Sequence, residues 1–202
     1  MRQLIFFFLC IGLFACNNAA PTGPVMDLTG YETQSVPGQN LQFVVKKDEN
    51  GNLLESGYLE NGVKTGAWTT YTDAGPFPKT IASFVQGNHN GVYIEFNDRG
   101  QVETVSNYKN NKLHGKWGKY RFGRPEETAV YKDGELHGVY AKYFARDGKI
   151  QNTIEYKDGK QDGYYRFFNE EGETTLEYLY KDGEKVSGGI VEPGSATPVE
   201  EK

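Results

Sequence analysis

The chain of 202 residues carries 22 Lys and Arg against 27 Asp and Glu, a formal charge of −5, which excludes the basic footprint that nucleic acid or an anionic lipid surface demands. Aromatic residues make up 14% of it, with 14 Tyr and 25 Gly. Frequent glycine excludes long uninterrupted helices, and tyrosine must supply much of the buried area.

The N-terminus has the layout of a secretory leader: Arg2, then an apolar run over residues 4–14 that falls short of the roughly 20 residues a membrane-spanning helix needs. Leu13-Phe14-Ala15-Cys16 resembles the bacterial lipobox. By that resemblance residues 1–15 are a lipoprotein signal peptide, and Cys16 carries the lipid anchor. Cys10 leaves with the leader, so the mature chain forms no internal disulfide. Loss of Arg2 leaves 21 basic against 27 acidic residues, a balance of −6. Asn17 rather than Asp after the cysteine favours the outer over the inner membrane in the cell envelope.

Residues 16–40 read as the lipidated cysteine and a flexible tether, polar and interrupted by Pro21, Pro24 and Pro37 with no sustained periodicity. The folded body is expected over 41–191. Residues 192–202 read as a disordered tail. Lys46 and Lys47 guard the first edge of the body against pairing.

Within the body a unit recurs. Tyr58, Phe84, Tyr108, Tyr131, Tyr156 and Tyr180 open successive copies, and from Phe84 onward the intervals are 24, 23, 25 and 24 residues. A first glycine position holds Gly62, Gly87, Asn111, Gly134, Gly159 and Gly183; a second holds Gly66, Gly91, Gly115, Gly138, Gly163 and, one residue late, Gly188. Asn is the non-glycine residue that best tolerates positive φ. About 24 residues bounded by glycine turns leave room for two strands of ordinary length. In the unit around Tyr156 the strands are expected at 153–156 and 164–168, with a loop over 157–163. The fold class is therefore all-β: an elongated antiparallel meander of consecutive β-hairpin repeats in a single twisted sheet, about eleven strands spanning roughly 50 Å.

Two aromatic columns follow the second glycine. Trp68, Tyr93, Trp117, Tyr140 and Tyr165 stand two residues after it; Tyr71, Phe96, Tyr120, Tyr143 and Phe168 stand five after. Alternation puts the columns on opposite faces. The first column is the candidate binding surface. It serves either as cross-strand packing that holds a thin sheet together or as a platform for a protein or a sugar ring.

The segments Y-L-E-N-G-V-K-T-G-A-W-T-T-Y, Y-K-N-N-K-L-H-G-K-W-G-K-Y, Y-K-D-G-E-L-H-G-V-Y-A-K-Y and Y-K-D-G-K-Q-D-G-Y-Y-R-F-F resemble MORN repeats, more specifically the MORN-variant units of YwqK-type antitoxin-like proteins. The resemblance covers residues 58–188. It implies a hairpin-repeat fold, and it implies turns at the His-Gly pairs.

His114 and His137 both precede the second glycine, as Asn90 and Asp162 do in other units. Such rungs stand about 10 Å apart, too far to converge on a zinc ion at about 2.0 to 2.3 Å, so no metal and no cofactor is expected. Glu126-Glu127 and Glu170-Glu171 are adjacent in sequence and make no facing carboxylate pair. No nucleophile elbow or phosphate loop is present, so no catalytic residue is assigned and the chain is not expected to be an enzyme. The expectation is a non-enzymatic envelope lipoprotein, held to the membrane by Cys16, whose repeats scaffold a protein partner. Alternatives are a module that binds cell-wall carbohydrate through the aromatic column, and an antitoxin or immunity-like protein.

Overall fold

The computed structural model describes residues 23–72, 77–192 and 199–200. Among them seventeen strand segments form one antiparallel sheet. β1 (Tyr31–Ser35) and β2 (Leu41–Lys47) make the opening hairpin. Three hairpins follow: β3 (Leu53–Glu60) with β4 (Val63–Tyr71), β5 (Pro78–Val85) with β6 (Asn88–Phe96), and β7 (Val102–Lys109) with β8 (Lys112–Leu113) and β9 (Gly115–Arg121). Three more complete the series: β10 (Arg124–Lys132) with β11 (Glu135–Leu136) and β12 (Gly138–Tyr143), β13 (Ile150–Lys157) with β14 (Lys160–Phe168), and β15 (Thr174–Lys181) with β16 (Glu184–Ile190). β17 (Val199–Glu200) pairs with the end of β16. Each hairpin also pairs with the one before it, so the expected all-β meander of hairpin repeats is the fold.

The turns are shorter than the sequence suggested. The loop expected over 157–163 is only Asp158-Gly159, because residues 160–163 already belong to β14. Both turn residues have positive φ, 46° and 81°. The same holds at Asn61-Gly62, Gln86-Gly87, Asn110-Asn111, Asp133-Gly134 and Asp182-Gly183. This is the two-residue turn whose twist matches the right-handed twist of the strands it joins. The second glycine therefore has a separate job. Gly163, at φ 120°, lies where the pairing jumps from Ile154↔Tyr165 to Tyr156↔Gln161, so it sits in a bulge that bends and twists the strand.

The strand count exceeds the eleven or so expected. β1 and β2 add a hairpin ahead of the repeats, and breaks at His114 and His137 divide two strands. The first unit is also offset. Leu59 faces Lys64 across its turn as Phe84 faces His89 and Tyr108 faces Leu113, so Leu59 occupies the opening position rather than Tyr58. Tyr58 points to the opposite face and packs on Phe43, ring centroids 5.2 Å apart.

The expected tether is corrected from Gly23 onward. Residues 23–28 form a strap across the first hairpins and lead into β1. The Met26 N–H donates to the Gly62 carbonyl at 2.9 Å. Met26, Leu28 and Tyr31 pack on the buried cluster Val44, Leu59, Trp68, Ala82 and Phe84. Proline and polar neighbours hid these apolar residues, which are too few to set a period. The expected tail is corrected at Val199-Glu200, which pairs with Gly189 and Ile190. The signal peptide, Cys16, residues 17–22 and the tail residues 193–198 and 201–202 lie outside the described residues.

Candidate functional site

Directly paired residues in an antiparallel sheet share a face. Tracing those pairs from β2 to β7 gives Val44, Gly57, Trp68, Ala82, Tyr93 and Ser106. The register of the neighbouring pairs carries the row on to Trp117, Ala129 and Tyr140, and it continues through Ile154, Tyr165 and Tyr178 to Gly188. All five residues of the predicted column thus stand in one row.

Through Tyr140 the row alternates large and small. Gly57, Ala82, Ser106 and Ala129 come from the strands between the rings, and Ala82, Ser106 and Ala129 are 3–4% exposed. A ring that lies across its neighbouring strand needs a short side chain beneath it. The requirement is strictest at Gly57, where a Cβ would fall inside the Trp68 indole and force the ring to shift. Sequence reasoning missed these small partners. Their signal was a constant offset, two residues before Leu59, Phe84, Tyr108 and Tyr131.

The second column is on the other face. Tyr120 folds over Gly118, and the Tyr143 hydroxyl lies 3.0 Å from that of Thr128. That face carries an open groove of about 440 Å³ bordered by Val105, Lys116, Val130 and Val139, with Gly118 contributing no side chain.

Carboxylates hold the polar ends of three row residues, Trp68, Tyr93 and Tyr140. The Trp68 indole N–H donates to Glu55, which also accepts from Lys64 Nζ at 2.8 Å and the Tyr31 hydroxyl at 2.7 Å. The Lys64 ammonium lies 4.0 Å from the Trp68 ring centroid, a cation–π contact. Burial pushes the Glu55 carboxyl up, but the hydrogen bonds from Lys64, Tyr31 and Trp68 outweigh it and hold the group below its ordinary value. Tyr93 donates to Glu95 at 3.3 Å and Tyr140 to Glu127 at 2.8 Å. Burial first, then the nearby Glu95 charge, pushes the Tyr93 hydroxyl up to about 12. Burial and Glu127 push Tyr140 up in the same way.

Cover divides the row. Under the strap, Trp68 is 2% exposed and belongs to the core; it has no free surface for a ligand. Tyr93 packs at the border of that cluster. Beyond it Trp117, Tyr140 and Tyr165 are half-buried with no strap above them among the described residues. Tyr165 stacks on Phe167 with centroids 4.5 Å apart.

The histidines run along the turn edge, each tied to the next unit. His114 Nδ1 is 3.2 Å from Asp133 Oδ1, and His137 Nδ1 is 3.1 Å from Asp158 Oδ1. His89 packs instead against Phe84, Tyr93 and Tyr108. Main-chain bonds repeat the link, with the N–H of Asn111, Gly134, Gly159 and Gly183 donating to the carbonyls of His89, Leu113, Leu136 and Gln161. These residues lock neighbouring units in register.

Neither a family model nor a curated protein matches the chain. Among solved structures, one described as "Crystal Structure of TarM" aligns at 12% identity over 65% of this chain and 22% of that one, with a TM-score of 0.28. The chain is an all-β meander of hairpin repeats whose likeness to that structure is too slight to bear on function.

Proposed function

We propose that this protein is a membrane-tethered, non-enzymatic scaffold of the cell envelope, built from units similar to MORN-variant repeats, that holds a protein partner on its aromatic face. The observation that carries the reading is the change in cover along one row. Trp68 is sealed beneath the strap, while Trp117, Tyr140 and Tyr165 present half-buried rings on the same face. Large rings, with the Tyr140 hydroxyl held by Glu127, supply contact area at low entropic cost, which is what interface anchors need. The lipobox at Leu13 to Cys16 supports the tether.

The test is co-purification from detergent-solubilised membranes with Cys16 intact, comparing the natural chain with Trp117→Ala and Tyr140→Ala. Partners recovered by the natural chain are lost from both variants. Equal recovery from all three sinks the proposed surface. For the anchor, Cys16→Ala moves the protein from the membrane to the soluble fraction, and an unchanged distribution rejects it. The same row also suits stacking on a sugar ring. In that case soluble cell-wall fragments shift Trp117 fluorescence and release no protein.

A further inference from the structure

The face that carries the row contains one arrangement twice. Trp68, Ala82, Phe84 and Tyr93 recur as Trp117, Ala129, Tyr131 and Tyr140, two units further along the sheet. Each set starts with tryptophan beside alanine and ends with tyrosine. The first set has an occupant, because the strap lays Met26 and Leu28 over it. The strap also touches the turns: a Cβ on Gly62 would meet Val25 at 3.2 Å, and one on Gly87 would meet Gly23 at 2.8 Å. Around Gly134, a turn glycine beside the second set, the same position is open space.

We infer that the Trp117–Tyr140 surface is a docking site for an extended segment of a partner polypeptide that carries two aliphatic side chains two residues apart, as Met26 and Leu28 are. This rests on the protein-binding reading and names the chemistry of the partner. The occupied copy supplies the argument, since equivalent side chains at equivalent register offer an equivalent seat. Three substitutions fit a seat that is empty between encounters. Tyr93 stands where the covered copy has Val44, Tyr108 where it has Leu59, and Tyr131 where it has Phe84. A hydroxyl at each lets the surface meet water without losing its apolar body.

The probe is a synthetic peptide of this chain's own residues 23–31, added to the full mature protein while acrylamide quenching of tryptophan is measured. Trp68 is shielded by the strap, so the quenchable tryptophan is Trp117. The expected result is a saturable loss of quenching, with no loss when the peptide carries Met26→Ala and Leu28→Ala. A Tyr140→Ala protein with an unchanged circular dichroism spectrum loses the response.

Four results overturn the inference. The first is quenching unaffected by peptide, or affected equally by the doubly substituted peptide. The second is a rise in quenching, meaning that the peptide uncovers Trp68 by exchanging with the strap. The third is protection that grows with protein concentration alone, which makes a second copy the occupant. The fourth is protection by glycan fragments and not by peptide. Should co-purified partners depend on Trp117 while the peptide is ignored, the strap-like chemistry is wrong and the scaffold reading stands; should partners be indifferent to Trp117 as well, both fail.

Discussion

The two tryptophans sit at the same place in their units, yet one is core and the other is surface. Trp68 is 2% exposed, bonded to Glu55 and covered by Lys64 and the strap; Trp117 stands in the same row, half-buried and uncovered. Position within a repeat therefore does not decide burial in a single-layer sheet. What lies across the layer decides it, and in this chain one short segment makes the difference.

The largest expected effect separates the two. Trp68→Ala costs about 3–5 kcal/mol, the range for emptying a packed aromatic site. Trp117→Ala costs less, about 1–2 kcal/mol, because only part of its area leaves water. Urea unfolding measures both, and equal costs would break the comparison. Substituting Met26 and Leu28 together by alanine costs about 2–3 kcal/mol, and it shifts Trp68 emission to the red. An unmoved emission maximum means that the strap is not what shields the ring. Gly57→Ala is expected to destabilise by about 1–3 kcal/mol through overpacking against Trp68, with a lower urea midpoint as the readout.

Smaller effects come from pH. The Glu55 carboxyl is held below its ordinary value, so it contributes stability above the unfolded value of about 4.3 that is lost as pH falls through the folded one. Tyr93 is pushed up to about 12. Its contribution is complete below the unfolded value of about 10 and is lost as pH rises toward 12. Tyr31, on the covered side, and Tyr140, on the open side, are pushed up as well. Acid acts on the covered half through Glu55 and on the open half through Asp162, which the hydrogen bonds from Lys181 and the Asp182 N–H hold below its ordinary value; alkali also acts on both. Unfolding curves at pH 3, 7 and 11 in the natural chain and in Glu55→Gln test this, with the variant expected to be less sensitive to acid.

The smallest effect is a gain. Phe122 adopts φ 51° in the turn between Arg121 and Arg124 and is 67% exposed. An exposed bulky side chain in the left-handed region is strained, so Phe122→Asn raises stability by about 1 kcal/mol. A lower midpoint for that variant would mean that the ring makes contacts worth more than the strain.

Much of this architecture could be read from the chain. Asp158-Gly159 and its counterparts marked every repeat turn, and the aromatic spacing placed one row on one face. The strands beside the turns were harder, because Lys160 and Gln161 have little strand propensity of their own and pair only because the tight turn brings them opposite Lys157 and Tyr156. The small residues under the rings were overlooked because Gly57 and Ala82 carry no pattern except distance from an aromatic. The strap was hidden for a different reason. Met26 and Leu28 are two apolar residues among prolines, and the surface that gives them meaning is assembled from strands up to Phe84, far along the sequence. A long-range partner of that kind leaves no local period to detect.

Under the proposed anchoring at Cys16, the packing of Gly23 against Gly87 limits how far the sheet can travel from a bilayer. From Cys16 to Gly23 there are seven residues, and a fully stretched polypeptide gains at most about 3.6 Å with each one, or roughly 25 Å altogether. With the lipid attached at Cys16 as proposed, the first hairpins would hang on a short leash, close to the headgroups.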